Sequence, residues 1–223
     1  MDFALTDDQR AIQDAARAFA EAELAPHSAE WDETKTFPVD VMRHAAEMGF
    51  CGIYAGEEHG GMGLGRVEAA VIFEELARGD VSTAAFISIH NMATWMIDGF
   101  GSADLRARYV PSLVAMEKIA SYCLTEPGSG SDAAALRTSA VLEGPGSGSG
   151  AGYYVVNGTK QFISGAGVND VYVTMVRTGA PGPKGISCLV IEKDMPGVSF
   201  GAKEKKLGWN ASPTAQVIFD NVK

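Results

Sequence analysis

Apolar residues recur at helical spacing through the first half of the chain and at a period near two through the second. Thr6-Asp7-Asp8-Gln9 reads as a capping box, in which the Thr6 hydroxyl accepts from an early helix N–H and Gln9 reaches back to the cap. Ile12, Ala15, Ala16, Phe19 and Ala22 then share one helical face, and Pro26 predicts the stop. Pro38 leads VDVMRHAAEMG into a second helix, with Gly49 past its last turn. EEHGGMGLG, residues 57–65, is a glycine loop, after which Arg66 to Ala77 resumes a helical pattern closed by Gly79. Between Ser82 and Phe100, a wide stripe that includes Phe86, Met92, Ala93, Met96 and Ile97 marks a helix buried on one side. Ser102 caps a further helix through Met116.

From Ile119 onward, runs at 119–125, 138–142, 153–156, 159–163, 171–177, 186–192 and 215–219 predict short strands. Asn157-Gly158, between YYVV and TKQFI, predicts a type I′ hairpin, because both central positions of that turn need φ > 0. GPGSGSGAG, residues 144–152, is a low-complexity connection without the lysine of a P-loop. The fold class expected is α+β: an N-terminal all-α domain, residues 1–117, followed by a mainly antiparallel β-sheet or barrel domain, residues 118–223.

Composition narrows the classes of function. With 46% apolar residues in 223 the chain can bury a core, and a net charge of -10 disfavours nucleic acid and anionic membrane as partners. An anionic ligand would need local backbone N–H groups or a few placed lysines. Cys51, Cys123 and Cys188 have no CxxC spacing, and His27, His44, His59 and His90 have no metal-ligand spacing. Neither a disulfide framework nor a metal is expected. The first residues, MDFALTDDQR, carry acids where a targeting segment carries bases, and no apolar run reaches spanning length. A soluble, cytoplasmic protein is the expectation. Met92 and Met96 read most simply as core, with the lining of a ligand pocket left open, and Lys203, Lys205 and Lys206 as a solvated turn, with attraction of a ligand's phosphates as the lesser reading.

The candidate chemistry begins at YCLTEPGSGSD, residues 122–132. Gly128 to Ala133 fits G-x-G-x-x-A, but a Rossmann turn needs a full helix and a parallel crossover after it, and Asp132 would set a carboxylate beside a pyrophosphate. A turn that satisfies its own backbone accounts for Glu126 and Asp132. It accounts less well for Thr125 at a strand end and Ser131 behind two glycines, positions where bare N–H groups and small hydroxyls approach a ligand closely. A ring with alternating donors and acceptors and a phosphate tail suits that surface. In KQFISGAG, residues 160–167, Phe162 and Ser164 lie two apart on one strand face.

YCLTEPGSGSD and NGTKQFISGAG resemble the two signatures of the acyl-CoA dehydrogenase family, FAD enzymes that desaturate acyl-CoA thioesters between Cα and Cβ. LTDDQRAIQDAARAFAEAELAP, EEHGGMGLG and LGWNASPTAQVIFDNV follow the family's order, so the resemblance runs over essentially the whole chain. It implies an FAD lying along Tyr122 to Ser131. Leu124 and Thr125 would face the flavin's pyrimidine side, Gly130 and Ser131 the pyrophosphate, and Ser131 also the acyl-CoA. Phe162, Ile163 and Ser164 would flank the ring, with the Ser164 hydroxyl or N–H on N5. Phe162 stands where many members have Trp and Ser164 where many have Thr. Both keep the aromatic face or the hydroxyl, and they are read as markers of a branch acting on short branched acyl-CoA.

The family's catalytic base is a glutamate on a C-terminal helical domain that this chain is expected to lack. No catalytic residue is therefore assigned, and Glu126 is not taken as a substitute. The resemblance further implies electron-transferring flavoprotein as acceptor and a homotetramer at full length. A non-catalytic acyl-CoA, FAD or protein-binding module on the same two domains is the alternative.

Overall fold

A computed structural model describes residues 4–144 and 152–223, so most of the glycine-serine stretch lies outside the described residues. The chain divides into two compact units, one running to Ile119 and taking in Lys206–Ser212, the other comprising Ala120–Lys205 and Pro213–Lys223.

The first unit is helical. α1 (Asp7–Phe19) starts at the capping box, with the Gln9 N–H donating to the Thr6 hydroxyl at 3.2 Å and the Thr6 N–H to Gln9 Oε1 at 3.0 Å. A single π turn, Ala20–Leu24, carries it to the bend before Pro26. α2 (Ser28–Thr34) is a helix that the periodicity does not predict. SAEWDET offers one apolar anchor, Trp31, which stacks on His27 at 5.4 Å, and one anchor makes no repeat. α3 (Val39–Glu47), α4 (Arg66–Gly79), α5 (Val81–Phe100) and α6 (Ala103–Val114) lie where their patterns place them. Asp80, rather than Ser82, caps α5, accepting from the Thr83 N–H at 2.8 Å and the Thr83 hydroxyl at 2.6 Å. Phe19, Met42, Ile72, Leu76 and Phe86 form the core. Met92 and Met96 are half-buried at its margin.

Lys206–Ser212 joins this unit through Ala211, which is buried in the core, and through Asn210, whose N–H and Nδ2 donate to Asp32 at 2.7 and 3.1 Å. Lys206 is not solvated as expected. Its ammonium donates to the Trp209 and Ser212 carbonyls and closes the loop on itself. Lys203 and Lys205 are exposed.

The second unit is a seven-stranded mixed sheet, ordered β1 (Ala120–Cys123), β4 (Val171–Arg177), β2 (Ser139–Glu143), β3 (Tyr153–Ser164), β7 (Thr214–Val222), β6 (Val198–Phe200), with β5 (Ile186–Glu192) paired to β4. Four pairings are antiparallel, and β4 runs parallel to β1 and β2. β6 escapes the sequence reading because three residues carry no alternation.

The predicted hairpin at Asn157-Gly158 does not form: YYVVNGTKQFIS is one continuous strand. β2 pairs with its first half and β7 with nearly its whole length, so the chain cannot reverse there. The register with β7 slips between Val156 and Gly158, the mark of a bulge. The glycine is needed for a close approach, since a Cβ at 158 would lie 2.7 Å from the Thr138 Cα.

Candidate functional site

The second unit brings the two signature segments side by side. The Gln161 N–H donates to the Thr125 carbonyl at 2.7 Å, the Lys160 ammonium to the Leu124 carbonyl at 3.1 Å, and the Ser121 hydroxyl to the Ser164 carbonyl at 2.6 Å. Asn169 Nδ2 fixes the last contact by donating to Ser121 Oγ at 2.8 Å and to the Ala120 carbonyl at 3.1 Å. Strand alternation buries Ser121 and Cys123 and leaves Tyr122 half-buried on the other face, with Leu124 beyond it.

Glu126 is turned inward. One carboxylate oxygen accepts from Lys160 Nζ at 2.9 Å and the Thr138 N–H at 2.8 Å, the other from the Arg137 N–H at 2.7 Å. Burial alone pushes its pKa up, but the hydrogen bonds from Lys160 and from the Arg137 and Thr138 N–H groups hold it below the usual carboxylate range. Burial pulls the Lys160 ammonium down, against the opposing pull of Glu126. Each charge has its counter-charge and its own hydrogen bonds, which offset the burial of both groups. The loop that follows is tied by reciprocal Glu126–Ser129 backbone bonds of 2.7 and 3.1 Å, and the Ser129 hydroxyl donates to the Asp132 carbonyl at 2.9 Å. One turn of 3-10 helix, Ala133–Ala135, succeeds it. A Rossmann crossover helix has no place there.

Arg177 braces the far side of this loop. Its guanidinium donates to the Ala134 and Leu136 carbonyls at 2.7 and 2.9 Å, and to those of Ala180 and Gly182 at 2.7 and 3.0 Å. Lys160, Asn169 and Arg177 thus hold the site residues in place, and the sequence reading gave none of them a part. Lys160 and Asn169 were within its reach, because each lies in or beside the second signature. Arg177 lies ten positions past the end of that signature, and nothing in its local pattern marks the contacts it makes.

What remains unsatisfied is as informative. Among the described residues the Thr125 N–H and hydroxyl, the Gly130 N–H, and the Ser131 N–H and hydroxyl have no hydrogen-bond partner. Gly130 leaves open space over Thr125, its added Cβ meeting nothing nearer than Thr125 Cγ2 at 3.8 Å. Phe162 sits in the left-handed region, φ 58, at a second register slip between Lys160 and Ile163, and its ring is 61% exposed. The bulge ejects an aromatic ring that strand alternation alone would not. Ile163 is buried in the sheet core at 3% exposure and offers only its main chain to this surface.

A cleft of about 340 Å³ opens between Pro127–Ser129, Arg137–Thr138 and Gly158–Thr159, but none of Thr125, Gly130, Ser131, Phe162 and Ser164 lines it. The free donors face open surface. An exposed ring beside unpaired N–H and hydroxyl donors fits a flat heteroaromatic group with an anionic tail, such as FAD. Among the described residues no group of three or more His, Cys, Asp or Glu side chains is placed to hold a metal ion.

Residues 6–117 match the family described as "Acyl-CoA dehydrogenase, N-terminal domain" and residues 121–222 that described as "Acyl-CoA dehydrogenase, middle domain". The chain is 56% identical over 217 residues to "Isobutyryl-CoA dehydrogenase, mitochondrial" of Bos taurus, covering 97% of this chain and 50% of that protein. It superposes on butyryl-CoA dehydrogenase from Megasphaera elsdenii with a TM-score of 0.89 at 31% identity, covering 100% of this chain and 58% of that one. For the structure of PigA with FAD and proline the TM-score is 0.91 at 30% identity, with coverage of 100% and 57%. The chain spans about half the length of the curated relatives it matches.

Proposed function

The chain belongs to the acyl-CoA dehydrogenase family, and from that premise we propose that it supplies the N-terminal and middle parts of an FAD enzyme that desaturates a short branched acyl-CoA thioester, isobutyryl-CoA or a near homologue. The observation that carries this reading is the surface where Thr125, Gly130 and Ser131 present unpaired donors close to the exposed Phe162 ring. The relatives' names supply the chemistry: isobutyryl-CoA at 56% identity, and FAD in the PigA complex.

Bound FAD would accept the hydride that leaves Cβ. This chain's residues then bind and orient. Leu124 and Thr125 would address the pyrimidine side, Gly130 and Ser131 the pyrophosphate, Ser131 also the acyl-CoA, with Tyr122 along the cofactor, and Phe162, Ile163 and Ser164 would flank the ring. Abstraction of the α-proton needs a carboxylate against Cα. Glu126 is unsuited, because both of its oxygens are held by internal donors. The base is proposed to lie in the part of the relatives' length that this chain does not span. Electron-transferring flavoprotein as acceptor and a homotetramer belong to the same proposal. So does a cytoplasmic location; Cys51, Cys123 and Cys188 form no disulfide, which suits any reducing compartment, and the two isobutyryl-CoA dehydrogenases it resembles are named as mitochondrial. Among the described residues no helix is long and apolar enough to cross a membrane.

Steady-state dye reduction with isobutyryl-CoA tests the reading. The chain extended to its relatives' length is expected to turn over, and the 223 residues alone are not. Comparable turnover by the two would refute the placement of the base, and a clear preference for octanoyl-CoA would refute the branch. Flavin binding by the extended protein without turnover on any acyl-CoA would leave a binding module.

A further inference from the structure

Lys160 links the two site segments through its side chain. It is fully buried, and its ammonium donates to the Leu124 carbonyl at 3.1 Å and to Glu126 Oε1 at 2.9 Å. The Leu124 carbonyl and the Thr125 N–H are opposite ends of one conjugated, planar peptide unit. A cation on the oxygen draws electron density from the nitrogen, so the N–H becomes a stronger donor. This N–H is one of the groups without a partner among the described residues, and the next carbonyl, that of Thr125, is pinned by the Gln161 N–H at 2.7 Å. The peptide's orientation is fixed and its free end faces the proposed cofactor surface.

Resting on the flavin reading above, we propose that Lys160 is a positioning residue that tunes the bound flavin: its charge, relayed through the Leu124–Thr125 peptide, strengthens the Thr125 N–H as a donor to the flavin's pyrimidine edge and favours the reduced over the oxidised cofactor. Two electrons and one proton received as hydride leave one negative charge on that ring, and a stronger donor there stabilises it. Glu126 sets the limit of the effect. Its carboxylate shares the same ammonium and offsets part of the charge that reaches the carbonyl, while the Arg137 and Thr138 N–H groups keep it ionised.

The two partners therefore act in opposite directions, and that opposition is the test. The full-length protein is loaded with FAD, and the midpoint potential of the bound flavin is measured by reductive titration against a reference dye. Lys160→Met keeps the apolar stem and removes the charge. The ratio of reduced to oxidised flavin at a given potential is expected to fall about tenfold, ~30 mV for a two-electron couple. Glu126→Gln, measured at a pH low enough to keep the now uncompensated Lys160 ammonium charged, leaves that charge unopposed, and its potential is expected to rise. A pair that merely braces the loop would weaken FAD retention in both variants and move the potential the same way in each, or not at all, and that result overturns the proposal. Should Lys160→Met not fold, the double variant Lys160→Met/Glu126→Gln removes both buried charges together. Its potential is expected below that of the unmodified protein, and an unchanged value counts against the proposal. If the unmodified protein retains no flavin, the reading of the site falls with the inference; if it retains flavin but the variants leave the potential unmoved, the inference alone falls.

Discussion

Phe162 holds a backbone conformation that a bulky L-residue adopts at a cost of about 1–2 kcal/mol, and its ring, 61% exposed, gains little from packing in return. Strain of this kind is retained where something outside the local packing requires it. Phe162→Gly relieves the strain, so the variant is expected to melt at or above the parent temperature while FAD retention, measured by gel filtration and flavin absorbance, drops at least tenfold. That Phe162 is aromatic was plain from the sequence. Its ejection from the strand was not, because the register slip depends on β7, more than fifty residues away. His90 makes a second prediction. It is fully buried, bonded to the Leu113 carbonyl at 2.9 Å, and burial pulls its pKa from 6.5 down to about 4. The unfolded chain takes up the proton first, so its contribution to stability is complete above pH 6.5, declines as pH falls and levels off near pH 4. The full gap corresponds to ~3 kcal/mol. Urea titrations at pH 7.5 and 5 should show this decline, and His90→Gln should flatten it. Glu126 acts in a lower window. Its depressed pKa stabilises the fold above the ordinary carboxylate range, and that stabilisation is lost as pH falls through the folded value.

Among the elements, β3 separates what local pattern conveys from what pairing decides. Asn157-Gly158 has the right residues for a tight reversal, and that local preference yields to the ladder bonds that β2 and β7 make with one unbroken strand. The glycine then serves a different end. Gly158→Ala would drive a methyl onto Thr138, whose own N–H holds Glu126, and should destabilise the protein by ~2 kcal/mol or more by chemical denaturation. In a free type I′ turn the same change would alter only the reversal. The helices were more legible, because Thr6, Gly49, Gly79 and Ser102 punctuate an apolar period that five of the six carry plainly. α2 went unread for want of a second anchor beside Trp31. The site divides along the same line: residue types at Thr125, Ser131 and Phe162 were visible, whereas their free donors and the buried Lys160–Glu126 pair exist only once β1 and β3 are neighbours.

Across the whole molecule, the change of hydrophobic period near residue 118 does not coincide with a clean cut between units. Lys206–Ser212 belongs with the helices by its Ala211 packing and its Asp32 bonds, although it lies between β6 and β7 in the sequence. Asp32→Ala is expected to raise hydrogen exchange within this loop and in α2 while leaving β3 unaltered, and uniform protection across all three would show the tether to be inert. A gene fragment stopped at Ile119 would omit that late-arriving patch and uncover the apolar wall that Ala211 covers. Anyone grafting the helical half onto a foreign partner must therefore carry two stretches of sequence, not one, or accept a module prone to clump.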